Sequence, residues 1–162
     1  MKALLLVVAV AAVSSCLPSI PPARLFGGAS RPPAPSRAAI LAAGERADNS
    51  RTDAFAAAGA VALGEAFAGE ALIELRGAAQ HMVRLGQRIE RRLESRLLVH
   101  WSVDGETGSG VLALSGWSRL VAGSTASAWS RFLEEWSFTV QWLAGGWRVV
   151  QAADLPPGSW WQ

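Results

Sequence analysis

With 162 residues, 51% of them hydrophobic, the chain is long enough for one domain with a substantial core once its N-terminal segments are set aside. The formal charge is +2, and removal of Lys2 with a leader would bring the chain nearer neutrality, which argues against a nucleic-acid binder with its dominant basic face. Lys2 is also the only lysine, which excludes a P-loop and Schiff-base chemistry.

Met1-Lys2 is a short positive start, and Ala3 to Val13 is an unbroken apolar run. That run has the length of a signal-peptide core and is too short to cross a bilayer. Val13-Ser14-Ser15-Cys16 comes next. It resembles the lipobox of bacterial lipoproteins: an aliphatic residue, two small residues, then the cysteine. The resemblance implies a signal peptide over residues 1–15, acylation of Cys16, and a protein held on the outer face of a bacterial cell membrane. An ordinary secretory signal cut near Ser15 is the alternative. Cys16 is the only cysteine, so no internal disulfide competes for it.

Residues 16–36 hold six of the eight prolines and show no hydrophobic period, which reads as an extended tether. The domain is expected over residues 37–162. Arg37 to Phe67 is alanine-rich and favours helix, with a break expected at Asn49-Ser50 and a new cap at Thr52 or Asp53. Glu70 to Leu85 is the clearest helix, because Leu72, Leu75, Ala79 and Met82 form one stripe. Gly86 stands where a helix C-terminus needs glycine.

Beyond Gly86 two periods compete. Ile89 and Leu93 continue the helical stripe, whereas Leu93, Leu97, Val99, Trp101 and Val103 fit the period of a strand. The strand, from about Ile89 to Val103, is the reading taken. Asp104 to Gly108 marks a turn, Val111 to Val121 a second strand with Gly116 as a candidate bulge, and Ala122 to Thr125 another turn. Ala128 to Leu143 is a long strand in which Trp136, Phe138, Val140 and Trp142 alternate with polar residues. Ala144-Gly145-Gly146 turns it back into Trp147 to Ala152, and Pro156-Pro157 ends the ladder. Helices followed by about four antiparallel strands make an α+β domain.

This order, closing in Trp142-Leu143-Ala144-Gly145-Gly146-Trp147-Arg148-Val149-Val150, resembles the NTF2-like superfamily over roughly Arg51 to Gln162. The likeness is to its exported bacterial members and to related conjugation-protein and plastid-division domains. It implies a bent sheet wrapped around helices, with a cone-shaped pocket. Glu134, Trp101, Trp136, Phe138, Trp142 and Trp147 are the pocket-lining candidates. Some members of the superfamily are isomerases; many bind proteins or ligands without chemistry.

The residue inventory implies no cofactor. There is no C-x-x-C, H-E-x-x-H or G-x-S-x-G, and His81 and His100 are too few for a zinc site. Without tyrosine, the phenolic donor of the ketosteroid isomerases is missing. Glu134, Glu135 and Asp154 are candidate carboxylates, and His100 is a further acid–base candidate or a plain strand histidine. Glu134 shares the phase of Phe132, Trp136 and Phe138, so it is expected inward, as an ion pair with Arg131 or Arg148, or as a base; simple exposure to solvent is the third reading. Arg84, Arg88, Arg91, Arg92 and Arg96, interrupted by Glu90 and Glu94, read as a solvated surface or as an attraction to anionic lipid. All eight tryptophans lie between Trp101 and Trp161, as core or as anchors; Trp160-Trp161 is a flap on the core or an exposed anchor. The expected function is a non-catalytic binding or structural module. The alternatives are an isomerase or hydratase using a pocket carboxylate, and a carrier of a small apolar ligand.

Overall fold

The computed structural model describes residues 34–57 and 62–158. The leader, Cys16, nearly all of the tether and Trp160-Trp161 lie outside the described residues.

The first helix, α1, spans Arg37–Ala56, capped by the Ser36 hydroxyl, which accepts from the Ala39 N–H at 3.1 Å. It runs through Asn49-Ser50, where a break was expected. Asparagine and serine weaken helices by bonding their own backbone. Here the Asn49 side chain accepts from Arg96 across the domain at 2.7 Å instead. The buried stripe of α1 is Ile40, Ala43, Gly44, Ala47, Asp48, Arg51 and Ala54. Its apolar members Ile40, Ala43, Ala47 and Ala54 belong to the core, and the first three carry the folded unit well before Arg51, where the superfamily resemblance began.

A short helix, α2 (Leu63–Ala66), leads through Phe67 to α3 (Gly69–Arg84). Helix α3 buries Ala71 and Ala79 and packs Leu72 and Leu75 against the core, and Gly86 comes after it with φ of 62°. That left-handed position releases the chain into the sheet.

The sheet holds β1 (Gln87–Asp104), β2 (Thr107–Ala122), the two-residue β3 (Thr125–Ala126), β4 (Ser130–Leu143) and β5 (Gly146–Leu155). The order is β1-β2-β4-β5, every pair antiparallel, with β3 beside β2. The last hairpin turns on Ala144 and Gly145, at φ of 49° and 82°. Two positive values at the central positions are what a turn matched to the strand twist needs. The outer edge of β5 is occupied by the α2–α3 link: the Ala68 N–H donates to the Val149 carbonyl at 2.8 Å.

Strand β1 is continuous, as expected, but its alternation is not. Register shifts fall between Leu93 and Ser95 and between Leu98 and His100. Each extra residue flips the parity of the residues after it. Leu93, Leu98 and Trp101 therefore pair with Gly116, Leu112 and Gly110 of the helix-facing rows, while Leu97 pairs with Ala113 on the outer face. The bulge expected at Gly116 lies opposite it, in β1. A Cβ on Gly116 would run into the Arg92 carbonyl, so the bulged strand needs a partner without a side chain there.

The helices fill the concave face of the curved sheet. Ile40, Ala43 and Ala47 from α1 and Leu63 and Phe67 around α2 meet Leu112, Leu114, Trp136, Phe138, Val140 and Val149 from the strands. Gly44 and Gly110 make room for the Phe138 ring: a Cβ on either would stand 2.6 or 2.7 Å from its tip. The ring also stacks on Trp136 with centroids 5.2 Å apart.

Candidate functional site: an arginine–carboxylate network between helix and sheet

Where the apolar core ends, charged side chains take over the same faces. Asp48 and Arg51 extend the buried stripe of α1 by one turn. Arg91 and Arg96 come from the concave side of β1, Glu134 from β4 and Asp154 from β5. The first parity flip of β1 is what allows both arginines to point inward although they are five residues apart.

Asp48 is the deepest member, with a side chain 2% exposed. Its Oδ2 accepts from Arg96 Nη2 at 2.6 Å and Nε at 3.1 Å, and its Oδ1 accepts from Arg51 Nη2 at 3.4 Å. Glu134 Oε2 accepts from Arg91 Nη2 at 2.8 Å and from Arg51 Nη2 at 3.2 Å. Arg51 Nη1 reaches Asp154 Oδ1 at 3.3 Å. Three guanidinium groups thus meet three carboxylates, and the formal charges balance. Aromatic rings close the network from the apolar side: Arg51 lies 5.1 Å from the Trp136 ring centroid and Arg91 4.2 Å from that of Phe132. The buried Nε of Arg51 has no hydrogen-bond partner among the described residues.

Glu134 faces inward with Phe132, Trp136 and Phe138, since β4 pairs with β2 without a shift. Its partners are Arg51 and Arg91, which corrects the expectation of Arg131 or Arg148. Arg131 lies on the other face, 3.6 Å from Glu94. Glu135, next in sequence, is buried on the outer face, with Oε2 unpaired among the described residues.

Two recesses open beside the network. One, of about 410 Å³, is lined by residues including Arg51, Glu74, Leu75, Trp136 and Asp154; the other, of about 260 Å³, by Arg51, Phe55, Ile89, Arg91 and Glu134 among others. Of the pocket-lining candidates, Glu134 and Trp136 stand at these recesses. Phe138 and Trp147 are buried in the core cluster. Trp142 sits edge-on to Trp147 at 5.5 Å and borders a separate recess of about 220 Å³ with Glu106, Thr107 and Gln141. Trp101 is exposed on the edge strand β1. The second parity flip, just before His100, turns Trp101 to the helix-facing side opposite Gly110, so its exposure follows from the position of β1 at the sheet's border.

His100 lies on the outer face, in a groove with Ser102, Ser109, Ser137, Thr139 and Gln151. The two acid–base candidates, His100 and Glu134, are therefore on opposite sides of the sheet and share no site. Among the described residues no group of three His, Cys, Asp or Glu side chains comes together as metal ligands. Among them, too, no helix is long and apolar enough to cross a membrane.

Reading the sequence missed the network because Arg91 and Arg96 looked like part of a solvated run. One signal was present: Asp48 and Arg51 fall on the helical stripe set by Ile40, Gly44 and Ala47, so burial of the stripe required partners for them.

No protein-family model matches the chain, and no curated protein sequence does. Among solved structures it is similar to the intermembrane space region of the chloroplast protein ARC6, at 18% identity over 76% of this chain and 98% of that one, with a TM-score of 0.67. At that identity the likeness is one of fold. A domain of unknown function with a cystatin-like fold from Nostoc punctiforme pcc 73102 is a looser match, at 12% identity over 74% of this chain and 78% of that one, with a TM-score of 0.41. The fold itself is the expected one: α+β, with N-terminal helices packed in a curved antiparallel sheet.

Proposed function

We propose that this chain is a lipid-anchored module of a bacterial cell envelope, held at the outer face of the membrane through acylated Cys16, whose domain binds an envelope partner without catalysing a reaction. The observation that carries the non-catalytic reading is the state of Glu134. A general base must be free to take a proton, and Glu134, the carboxylate expected to serve as one, is already shared between Arg51 and Arg91. The interior beneath the helices is packed with Trp136, Phe138, Leu112 and Leu114, which favours a structural module over the carrier of an apolar ligand. The run from Met1 to Cys16 supports the anchor, and the intermembrane-space setting of the ARC6 region supports an envelope location.

Fractionation of cells making the wild type or Cys16→Ser tests the anchor. The variant should appear unacylated, as uncleaved precursor or soluble protein, and equal mass and equal membrane retention of the two would refute acylation. Urea unfolding of Glu134→Gln tests the module. The variant should be less stable by about 1–2 kcal/mol, because two guanidinium groups lose a charged acceptor. A stabilised variant would mean that Glu134 is held under strain for chemistry, and would favour the enzyme.

A further inference from the structure

The run of arginines in β1 is divided by the sheet. Arg91 and Arg96 point inward to the network, whereas Arg88 and Arg92 point outward. Cross-strand pairs Glu90↔Arg119 and Arg92↔Trp117, and the pair Trp117↔Arg131, put these side chains on the outer face near the start of β1. Leu133 lies two residues beyond Arg131 and is 60% exposed; Trp117 is 38% exposed.

Glu90 there is bound by Arg119 at 2.6 Å and by Arg88 at 3.2 Å, and Glu94 accepts from the Trp117 indole at 2.7 Å. Four arginines face two glutamates, and the next acid on this face, Glu135, is buried. Among the described residues Arg92 has no ion-pair partner: its guanidinium lies 4.3 Å from the Trp129 ring centroid, which also carries Arg119 at 4.7 Å.

We propose that this outer face of the sheet docks on an anionic phospholipid surface, turning the helices and the charged network away from the membrane. Arginine and tryptophan both combine an apolar body with a polar tip, which suits them to headgroup depth, and Leu133, largely exposed, adds apolar surface to the same face. The charge surplus complements anionic headgroups. Because the helices occupy the concave side, this face is convex and presents protruding side chains to a broad surface. An acidic protein segment would match the charge, but not the combination of unpaired arginine, tryptophan and leucine on a convex face. The proposal extends the lipid-anchored reading in one respect. The chain from Cys16 to Ser36 reaches about 60 Å at polyproline extension, so an acylated protein keeps this face within range of the bilayer.

The test uses residues 16–162 with Cys16→Ser, a chain that holds every described residue and carries no acyl group, so that its result is independent of lipidation. Its sedimentation is measured with vesicles of equal phosphatidylglycerol and phosphatidylcholine, and with phosphatidylcholine alone. Binding is expected to the anionic vesicles only and should weaken with added salt. Arg92→Ala and Arg131→Ala should each reduce it about five-fold. Arg76→Ala, an equal charge loss on α3, should leave it unchanged. Absence of binding to anionic vesicles would overturn the proposal and pass the face to an acidic polypeptide partner. So would wild-type binding by the Arg92→Ala, Arg131→Ala double variant, or an equal loss with Arg76→Ala.

Discussion

Asp48 and Glu134 are both paired with arginines, but their surroundings differ. The Asp48 side chain is 2% exposed and that of Glu134 is 38% exposed. Water therefore replaces part of what Glu134 loses and almost none of what Asp48 loses. Asp48→Asn leaves Arg96 and Arg51 beside a neutral amide in the interior, and we expect a loss of about 3–5 kcal/mol. The two changes share Arg51, so the Asp48→Asn, Glu134→Gln double variant should depart from additivity by more than about 0.5 kcal/mol. Urea unfolding of the set gives both answers, and additive losses would mean that the network is two independent pairs. Glu90, half-buried on the outer face, is a further case. The hydrogen bond from Arg119 chiefly, opposed by partial burial and helped by Arg88, holds its carboxyl below the ordinary 4.5. A depressed acid contributes stability above its unfolded value and loses it as pH falls through the folded one. The difference in urea midpoint between wild type and Glu90→Gln should thus be present at neutral pH, begin to shrink as pH falls through about 4.5, and vanish only once the folded carboxyl, held lower, is protonated. A difference that persisted in acid would place its origin in packing.

At the scale of elements, β1 is the decisive piece. It is a long strand at the border of the sheet, and its two extra residues decide which of its side chains face the helices. The first bulge depends on Gly116, where any Cβ meets the Arg92 carbonyl. Backbone cannot step aside as a flexible side chain can. Gly116→Ala should therefore cost about 1–3 kcal/mol, in the range of overpacking, and alter amide shifts at Arg91 to Ser95 before it alters those of β5. If the register around Glu94 were unchanged and stability intact, the close approach would not be what holds the bulge. Helix α1 makes the complementary point. Its Asn49-Ser50 pair disfavours helix locally, yet the helix continues because Asp48, Asn49 and Arg51 are engaged by the sheet and by one another.

For the whole molecule, helix α1 and strand β5 close the domain from opposite ends of the sequence. Ile40, Ala43 and Ala47 lie against Leu112, Leu114 and Phe138, and Trp147 and Val149 complete the same cluster. Removal of either end exposes the other's apolar face, with full burial of a large side chain worth about 2–3 kcal/mol. A chain ending before Trp147 should show no cooperative unfolding transition, and one starting at Arg51 should behave alike. Calorimetry of the two fragments checks this; a sharp transition in the second would show that the sheet and α3 form a self-sufficient core.

Much of this architecture was written in local pattern. The period of two in Trp136, Phe138 and Val140, the turn at Ala144-Gly145, the stripe of α3 and the glycine after it rest on neighbours a few residues apart, and they declare α+β with a closing hairpin. The inward phase of Glu134 was legible for the same reason, because β4 runs against β2 without a bulge. The partners of Glu134 were not legible. Arg51 and Arg91 are distant in sequence and become neighbours only when α1 crosses a sheet whose first strand has changed parity. Whether an arginine of the β1 run turns to the interior or to the outer face depends on a bulge made possible by a glycine in another strand. Local propensity determined the elements of this protein; the long-range register between strands, which no short window of sequence contains, decided which charges meet.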